Sequence, residues 1–265
     1  MNVTTYKSKR AGKVFLVGAG PGDPELLTLR AARVLASADY VLHDALVSPE
    51  VLEMASENAV LEDVGKRCGE HAMRQEHIHA RMIELARAGF CVARLQGGDP
   101  AIFGRAGEEI SALARAGVKW EIVPGITAAS AAAAAVGISL TDRRSAGNLI
   151  FLAGHRAADG ASLEIPAPPL SGATIAIYMP SSRYVEIAGK FLESGWDLNT
   201  PCVLVSEASS TRQSVVRCTI GLLSGCARLP SPAILIVGET ARPNVFVRGE
   251  NETEIAPHEN IAASA

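Results

Sequence analysis

Residues 95–109 read LQGGDPAIFGRAGEE, a pattern typical of a strand that ends in a ligand site. An apolar run leads into the Gly-Gly-Asp-Pro turn at 97–100, and a helix is predicted to follow with Arg105, Glu108 and Glu109 in its first turns. Adjacent glycines allow positive φ angles and a close approach of the backbone to a ligand, because they carry no Cβ. A simple strand-to-helix turn needs only one glycine. The stretch therefore predicts a binding site at the end of a strand.

The composition indicates a globular protein that acts on small molecules. With 265 residues, 48% of them hydrophobic, the chain can bury one large core or two lobes. The net charge of −3 includes no block of like charge, which argues against a nucleic-acid or membrane partner. No apolar run reaches the length of a membrane span, and no stretch near the start has the apolar core of a signal peptide.

The cysteines and histidines predict neither a disulfide framework nor a metal site. The five cysteines are odd in number, lie far apart and include no C-x-x-C pair, a usage that suits a cytoplasmic protein. The six histidines form no ligand cluster. His77 and His79 are two residues apart, whereas metal-binding pairs on a helix favour a spacing of about four. We therefore expect no metal.

A second glycine turn, GAGPGD at 18–23, follows the first predicted strand. The dinucleotide-binding fingerprint requires glycine where Asp23 stands, and the pattern of a P-loop is absent from this part of the chain. The turn therefore predicts neither kind of nucleotide site. Asp23 is instead a good N-cap, and Pro24 is a good first residue, for a helix that is predicted to run to Leu35.

Strands alternate with helical patterns in the first half of the chain. This alternation predicts a mainly parallel α/β lobe with its glycine turns on one edge. Asp44 and Lys66 follow the second and third strands, and Thr127 and Ala128 start an alanine-rich helix, so these residues are candidates for ligand contacts. The predicted strands are Lys13–Val17, Tyr40–Leu42, Val60–Val64, Cys91–Leu95 and Lys119–Val123.

A polar segment, 141–147, is predicted to connect this lobe to a second one. The predicted domains are 12–140 and 148–249, with loose tails at 1–11 and 250–265. A helix is expected in the second lobe over residues 183–194. Five strands are also expected there, and the third and fourth of them read as an antiparallel hairpin. These strands are Leu149–Ala153, Thr174–Tyr178, Cys202–Glu207, Gln213–Cys218 and Ala233–Val237.

A set of motifs occurs in fixed order along nearly the whole chain: VGAGPGDPELLTLRA, DALVSPE, VGKR, QEHI, LQGGDPAIFGRAGEE, VPGITAA, LTDRR and YM. Together they resemble the uroporphyrinogen-III C-methyltransferases of the tetrapyrrole methylase superfamily. The resemblance implies a two-lobed α/β fold with a mixed second sheet, S-adenosylmethionine in the cleft as methyl donor, and a homodimer. It also implies methylation of uroporphyrinogen III, via precorrin-1, to precorrin-2, a precursor of sirohaem, cobalamin and haem d1.

The same resemblance implies roles for individual residues. Asp44 matches a proton acceptor and Lys66 a proton donor, and Arg105 is a rival candidate for the base. The residues implied to surround S-adenosylmethionine are Pro21, Gly97, Gly98, Asp99, Ile102, Thr127, Ala128, Met179 and Ala208. Those implied to bind the substrate are Arg105, Glu108, Arg143 and Met179.

The implied reaction explains why these residue types are needed. A pyrrole carbon attacks the sulfonium methyl group, so the enzyme has to hold carbon, methyl and sulfur in line. The methylated ring then loses a proton to a general base, for which Asp44, Arg105 or an ordered water are the candidates. A guanidinium normally stays protonated, so Arg105 and Arg143 also suit the binding of substrate carboxylates. Glu108 is spaced to orient Arg105.

Four positions depart from the usual family pattern and bear on the fit of the substrate: Ala101, Ala106, Asp142 and Pro180. Two alternative functions stay open. One is a methylase of the same superfamily that acts on a later corrin precursor, on rRNA or on a modified protein histidine. The other is a protein that binds S-adenosylmethionine or a tetrapyrrole without turnover. The joint presence of Asp44, Lys66 and Arg105 favours catalysis.

Overall fold

The computed structural model describes residues 12–65, 75–154, 163–243 and 252–254. Contacts divide the chain into two units, Met1–Thr127 and Ala128–Ala265. The predicted domain limits, with a connection at 141–147, stay a prediction. Lys66 lies outside the described residues, and so do the two predicted tails apart from 252–254.

The first unit is built on one parallel sheet, as predicted. Its strands are β1 Lys13–Gly18, β2 Tyr40–His43, β3 Val60–Asp63, β4 Cys91–Gln96 and β5 Lys119–Val123, in the order β3-β2-β4-β1-β5. Its helices are α1 Leu29–Leu35, α2 Pro49–Leu52, α3 Gln75–Arg87 and α4 Ala106–Arg115. Because β4, β1 and β5 are neighbours and parallel, the turns that follow them meet at one edge.

Helices cover both faces of this sheet, which explains why its central strands are apolar at nearly every position. Val17 and Leu95 pack with Leu35 of α1 on one face. On the other face, Leu16 packs with Met82 of α3. All five side chains are fully buried. With both faces covered, the ends of the strands are left as the place for a ligand.

The helix predicted from Pro24 to Leu35 is wrong as a single element. Pro24–Leu26 forms a 3-10 turn, for which Asp23 is the N-cap and accepts a hydrogen bond from the Glu25 amide. Helix α1 starts separately, because the Thr28 hydroxyl accepts from the Ala31 amide and caps a new N-terminus. A Ser or Thr side chain that bonds to nearby backbone amides offers the chain an alternative to a continuous helix.

The second unit is built on a mixed sheet, again as predicted. Its strands are β6 Asn148–Ala153, β7 Ala173–Tyr178, β8 Pro201–Ser206, β9 Ser214–Thr219, β10 Ala233–Val237 and β11 Glu252–Glu254, in the order β11-β9-β8-β10-β7-β6. The β6–β7 and β9–β11 pairs are parallel, and the other pairs are antiparallel. The predicted hairpin is therefore confirmed as β8–β9. Strand β11 lies within the segment predicted as a loose tail.

Three helices accompany this sheet: α5 Ala128–Ala135, α6 Tyr184–Glu193 and α7 Ile220–Leu223. The small side chains of α5 pack against β7 and β10, so this helix groups with the second unit. In the core, the rings of Phe191 and Trp196 meet edge to face with centroids 5.5 Å apart. Over the described ranges, no helix is both long and apolar enough to cross a bilayer.

Candidate functional site

Three glycines meet where the turns after β1, β4 and β5 come together. A Cβ on Gly125 would overlap the carbonyl oxygen of Gly98, and a Cβ on Gly18 would come within 2.6 Å of both Gly98 and Gly125. Gly98 also has a φ of +70°, a value that favours glycine. Only backbones without side chains fit at this junction, so Gly98, which was predicted for ligand approach, also helps to hold the three turns together.

Backbone hydrogen bonds join the first two of these turns. The Gly98 amide donates to the Gly20 carbonyl at 2.7 Å, and the Gly20 amide donates back to the Gly98 carbonyl at 3.1 Å. The Ala19 amide donates to the Gln96 carbonyl at 2.7 Å. The GAGPGD and GGDP motifs, far apart in sequence, therefore form one rigid edge that carries Pro21 and Gly97.

Asp99 ties this edge to the turn after β5. Its Oδ1 accepts from the Ala101 amide at 2.7 Å, and its Oδ2 accepts from the Gly125 amide at 3.0 Å. Both carboxylate oxygens thus organise the loops, a role that the sequence analysis missed. Ile102 follows in the same turn and donates its amide to the Asp99 carbonyl at 3.1 Å. Contacts of these residues with a cofactor stay a prediction.

The remaining residues of the predicted cofactor set lie at other strand and helix ends. Thr127 closes the first unit, and Ala128 is the first residue of α5. In the second unit, Met179 follows β7 and Ala208 follows shortly after β8. Met179 is 46% exposed and has a φ of +53°. Positive φ in a non-glycine residue is uncommon and costs free energy, so an exposed Met179 in this state is a candidate ligand contact.

Arg105 and Glu108 form an ion pair, as their spacing predicts. Arg105 Nε donates to Glu108 Oε1 at 2.8 Å, and Nη2 donates to Oε2 at 2.7 Å. The two side chains are 47% and 51% exposed. Arg105 itself is not helical: its φ is +58°, and it is the N-cap residue of α4, which begins at Ala106. The prediction that Arg105 lies within the first turns of a helix is therefore wrong, because the chain from 99 to 105 is not helical.

The ion pair also shifts the pKa values of both side chains. The hydrogen bond to Glu108 raises the pKa of Arg105, and the hydrogen bond to Arg105 lowers the pKa of Glu108. Arg105 is thus held more firmly in its charged form, which makes it a poorer base. A planar guanidinium that stays charged and half-exposed is well suited to carboxylates.

Asp44 is paired with an arginine that the sequence analysis missed. Arg94 Nη2 lies 2.6 Å from Asp44 Oδ1, and Arg94 Nε lies 3.1 Å from Glu109 Oε1. Arg94 and Glu109 are 3% and 0% exposed, whereas the Asp44 side chain is 32% exposed. The buried cation therefore connects an interior carboxylate to one at the surface.

Glu109 is the centre of this buried network. It accepts from Gln75 Nε2 at 3.0 Å and from Gln96 Nε2 at 3.2 and 3.3 Å. Burial raises its pKa, and the charge of Arg94 partly opposes that shift. One signal was available in the sequence: Arg94 lies inside the apolar strand CVARLQ, and a charge there requires a buried partner.

Arg143 is exposed and lies in the segment predicted to connect the lobes. In the same segment, the Arg144 guanidinium and backbone amide lower the pKa of Asp142 to about 2. The backbones of Asp142 and Ala146 pair as an antiparallel bridge. Within the part of the chain that the structure describes, no group of three or more His, Cys, Asp or Glu side chains is arranged to hold a metal.

The family relationship is visible in solved structures. The uroporphyrin-III C-methyltransferase of Thermus thermophilus, solved with S-adenosyl homocysteine, superposes with a TM-score of 0.75 at 39% identity. The alignment covers 87% of this chain and 99% of that one.

Curated relatives agree with this structural match. The uroporphyrinogen-III C-methyltransferase of Paracoccus denitrificans is 45% identical over 235 residues, which are 87% of this chain and 82% of that protein. Siroheme synthase 1 of Yersinia enterocolitica is 44% identical over 88% of this chain. The chain spans about half the length of that synthase and of most of the curated relatives that it matches.

A family profile gives the same result for most of the described structure. Residues 13–223 match the family described as tetrapyrrole (corrin/porphyrin) methylases. This range includes the glycine junction of the first unit and strands β6 to β9 of the second. By this match and by identities above 40% over most of the chain, the protein belongs to the tetrapyrrole methylase family.

Proposed function

We propose that this chain is an S-adenosylmethionine-dependent C-methyltransferase that converts uroporphyrinogen III, via precorrin-1, into precorrin-2. The observation that carries the proposal is the Arg105–Glu108 ion pair, which follows the 97–100 glycine turn in the chain. It offers a charged, half-exposed guanidinium. Uroporphyrinogen III is rich in acetate and propionate groups, for which such a guanidinium is the preferred partner. Similarity to the Thermus and Paracoccus enzymes supports the same choice.

The residues at the glycine junction fit a bound S-adenosylmethionine. A Cβ added at Gly22 would meet nothing within 4 Å, and one at Gly97 would make only ordinary contact with Leu46, so backbone is open to a ligand at both points. From the family pattern, we assign nine residues to this cofactor: Pro21, Gly97, Gly98, Asp99, Ile102, Thr127, Ala128, Met179 and Ala208. When bound, it supplies the methyl group that the substrate carbon accepts.

Arg105 binds a substrate carboxylate in this proposal, and Glu108 holds the guanidinium fork in place. The raised pKa of Arg105 disfavours its role as the base. Arg143 supplies a second exposed guanidinium for the carboxylates of the substrate. Met179 contributes an apolar contact to the macrocycle.

Asp44 is the proposed acceptor of the proton that the methylated ring loses. A carboxylate that is partly exposed and held by Arg94 can face the substrate and keep a fixed orientation. Lys66, the proton donor implied by the family pattern, keeps that role as a prediction.

Mass measurement after incubation with uroporphyrinogen III and S-adenosylmethionine tests the function. Two added methyl groups are expected, and binding of S-adenosylhomocysteine, measured by calorimetry, serves as the control for a folded protein. Cofactor binding with no methyl added to uroporphyrinogen III would instead favour a later corrin precursor or binding without turnover. Absence of any binding at about millimolar ligand would remove the cofactor assignment.

A homodimer is part of the proposal, since the family pattern implies one. Light scattering of the full chain at micromolar concentration is expected to give twice the mass of the protomer. A clean monomer would contradict this part of the proposal alone. A cytoplasmic location also stays a prediction.

A further inference from the structure

We propose that Arg94 is a positioning residue that fixes the Asp44 carboxylate in the methylation site, with Glu109 as the counter-charge that holds Arg94. The inference rests on the proposed function, because it gives Asp44 its role as proton acceptor. It concerns two buried residues, Arg94 and Glu109, to which the family resemblance assigned no role. It predicts that Arg94 affects turnover through Asp44 and not through the general stability of the fold.

The surroundings of Arg94 leave its guanidinium with one orientation. Its Nη1 donates to the carbonyls of Leu95 at 3.2 Å and Leu42 at 3.4 Å, and its Nε meets Glu109 at 3.1 Å. These contacts lie within the buried end of the first sheet, and the side chain is 4% exposed. The Nη2 end is thereby directed at Asp44. An arginine held at several donors loses little further freedom when it binds a carboxylate.

Asp44 depends on this guanidinium for its direction. It follows β2, and its amide donates to the Leu95 carbonyl at 3.1 Å, so its backbone is already tied to β4. The side chain then meets Arg94 at 2.6 Å through Oδ1. The buried Arg94 thus fixes the partly exposed carboxylate of Asp44 from its interior side. A base has to lie within hydrogen-bond reach of the proton it removes, so the loss of this contact is expected to slow the reaction.

Glu109 also connects this network to the turn that precedes Arg105. Its partner Gln96 also donates Nε2 to the Gly104 carbonyl at 3.0 Å, immediately before Arg105. One buried carboxylate therefore holds both the arginine behind Asp44 and the turn that presents Arg105. The buried side chains of the first unit therefore fix the positions of both Asp44, the proposed proton acceptor, and the turn before Arg105, the proposed carboxylate binder.

A double-mutant cycle of Asp44→Asn and Arg94→Lys tests this inference. Lysine keeps the charge but loses the fork that joins Glu109 to Asp44. In the wild-type background, Arg94→Lys is expected to lower kcat by about ten- to a hundredfold, as a misplaced catalytic group does, and to leave KM within about twofold. In the Asp44→Asn background, the same substitution is expected to change kcat by less than about twofold. Such non-additivity is the signature of action through Asp44.

Arg81→Lys is the matched control, because Arg81 also pairs with a glutamate in the first unit, with Nε 3.0 Å from Glu62 Oε2. It is expected to leave kcat unchanged. Affinity for S-adenosylhomocysteine, measured by calorimetry in every variant, reports on folding. If Arg94→Lys does not fold, Glu109→Gln replaces it in the cycle with the same expected non-additivity.

Different results would contradict the positioning role of Arg94 and the proposed methyltransferase function. Equal losses of kcat in both backgrounds, or a wild-type rate in folded Arg94→Lys, would overturn the positioning role while the methylation of uroporphyrinogen III stands. A wild-type protein that binds S-adenosylhomocysteine but methylates no uroporphyrinogen III would overturn the proposed function, and the positioning role with it.

Discussion

Glu108 and Glu109 are adjacent in sequence, and each pairs with an arginine, yet their surroundings are opposite. Glu108 is 51% exposed and holds Arg105 at the surface. Glu109 is 0% exposed and holds Arg94 in the interior. Successive residues of a helix point about 100° apart, so one position places a side chain in solvent and the next places it in the core. The same pair of residue types therefore serves two purposes within one turn of α4.

This difference shows that burial decides whether an Arg–Glu ion pair can bind a ligand or can only hold other side chains in place. An exposed pair contributes little to stability, because water screens it, but its arginine remains available to a ligand. A buried pair is closed to ligands, and it stabilises the fold only when all partners are present. The Arg105–Glu108 pair therefore suits recognition, whereas the Arg94–Glu109 pair suits the placement of other groups.

The largest expected effect that sharpens this comparison is on stability. Glu109→Ala leaves Arg94 buried without its interior partner and is expected to lower the free energy of unfolding by about 3 to 5 kcal/mol. Glu108→Ala removes only an exposed pair and is expected to cost less than about 1 kcal/mol. Urea unfolding of the two variants measures the difference. Equal costs would show that the comparison drawn from burial is wrong.

The next effect is on turnover. Arg105→Ala is expected to lower methyl transfer by about a hundredfold, or about 2.7 kcal/mol, because a substrate carboxylate loses its forked partner. Affinity for S-adenosylhomocysteine is expected to stay nearly unchanged. Arg115→Ala, at the far end of α4, is the matched control and should turn over at the wild-type rate.

Arg105→Lys then separates two roles for this residue. A high KM with little rescue of kcat would support carboxylate recognition, since lysine lacks the fork. Substantial rescue of turnover would support a simple charge or proton transfer. A wild-type rate in Arg105→Ala would move the proposed centre to Asp44 and Lys66.

Much of the fold followed from local patterns. Apolar runs that lead into glycine turns located the central strands β1 and β4 to within about two residues, because the central strands of a parallel sheet covered on both faces have to be mostly apolar. The glycine junction was also accessible, since GAGPGD and GGDP both follow strands. What the sequence did not reveal is that Gly18, Gly98 and Gly125 exclude side chains from one another, because that contact joins three distant turns.

The parts of the site that escaped prediction depend on contacts distant in sequence or on unusual backbone. Arg94 and Glu109 belong to a strand and a helix 15 residues apart, and only their joint burial makes them a pair. Asp99 was assigned to a ligand from its motif, whereas its carboxylate bonds to the Gly125 amide. The positive φ of Arg105 and Met179 has no local signal, because neither residue type favours it.

The smallest expected effect is on the pH dependence of stability: the contributions of Glu108 and Glu109 are expected to change with pH in opposite directions. Burial raises the pKa of Glu109 above its ordinary value of 4.5, so the folded protein holds this proton to higher pH than the unfolded chain does. The pH-dependent part of the stability that Glu109 contributes is therefore complete below the unfolded pKa and is lost as the pH rises through the folded pKa, whereas the ion pair with Arg94 persists. Arg105 lowers the pKa of Glu108, so its contribution is present above 4.5 and is lost as the pH falls through the folded pKa.

Melting temperatures of the wild type, Glu109→Gln and Glu108→Gln between about pH 3 and 7 show how the stability contribution of each glutamate changes with pH. The advantage of the wild type over Glu109→Gln is expected to shrink as the pH rises from 4.5, because glutamine has no proton to lose. Its advantage over Glu108→Gln is expected to shrink as the pH falls below 4.5, and to be much smaller throughout, because Glu108 is half-exposed. If both differences changed in the same direction with pH, the pairing with Arg94 would outweigh burial in setting the pKa of Glu109, and burial would not be what separates these two carboxylates.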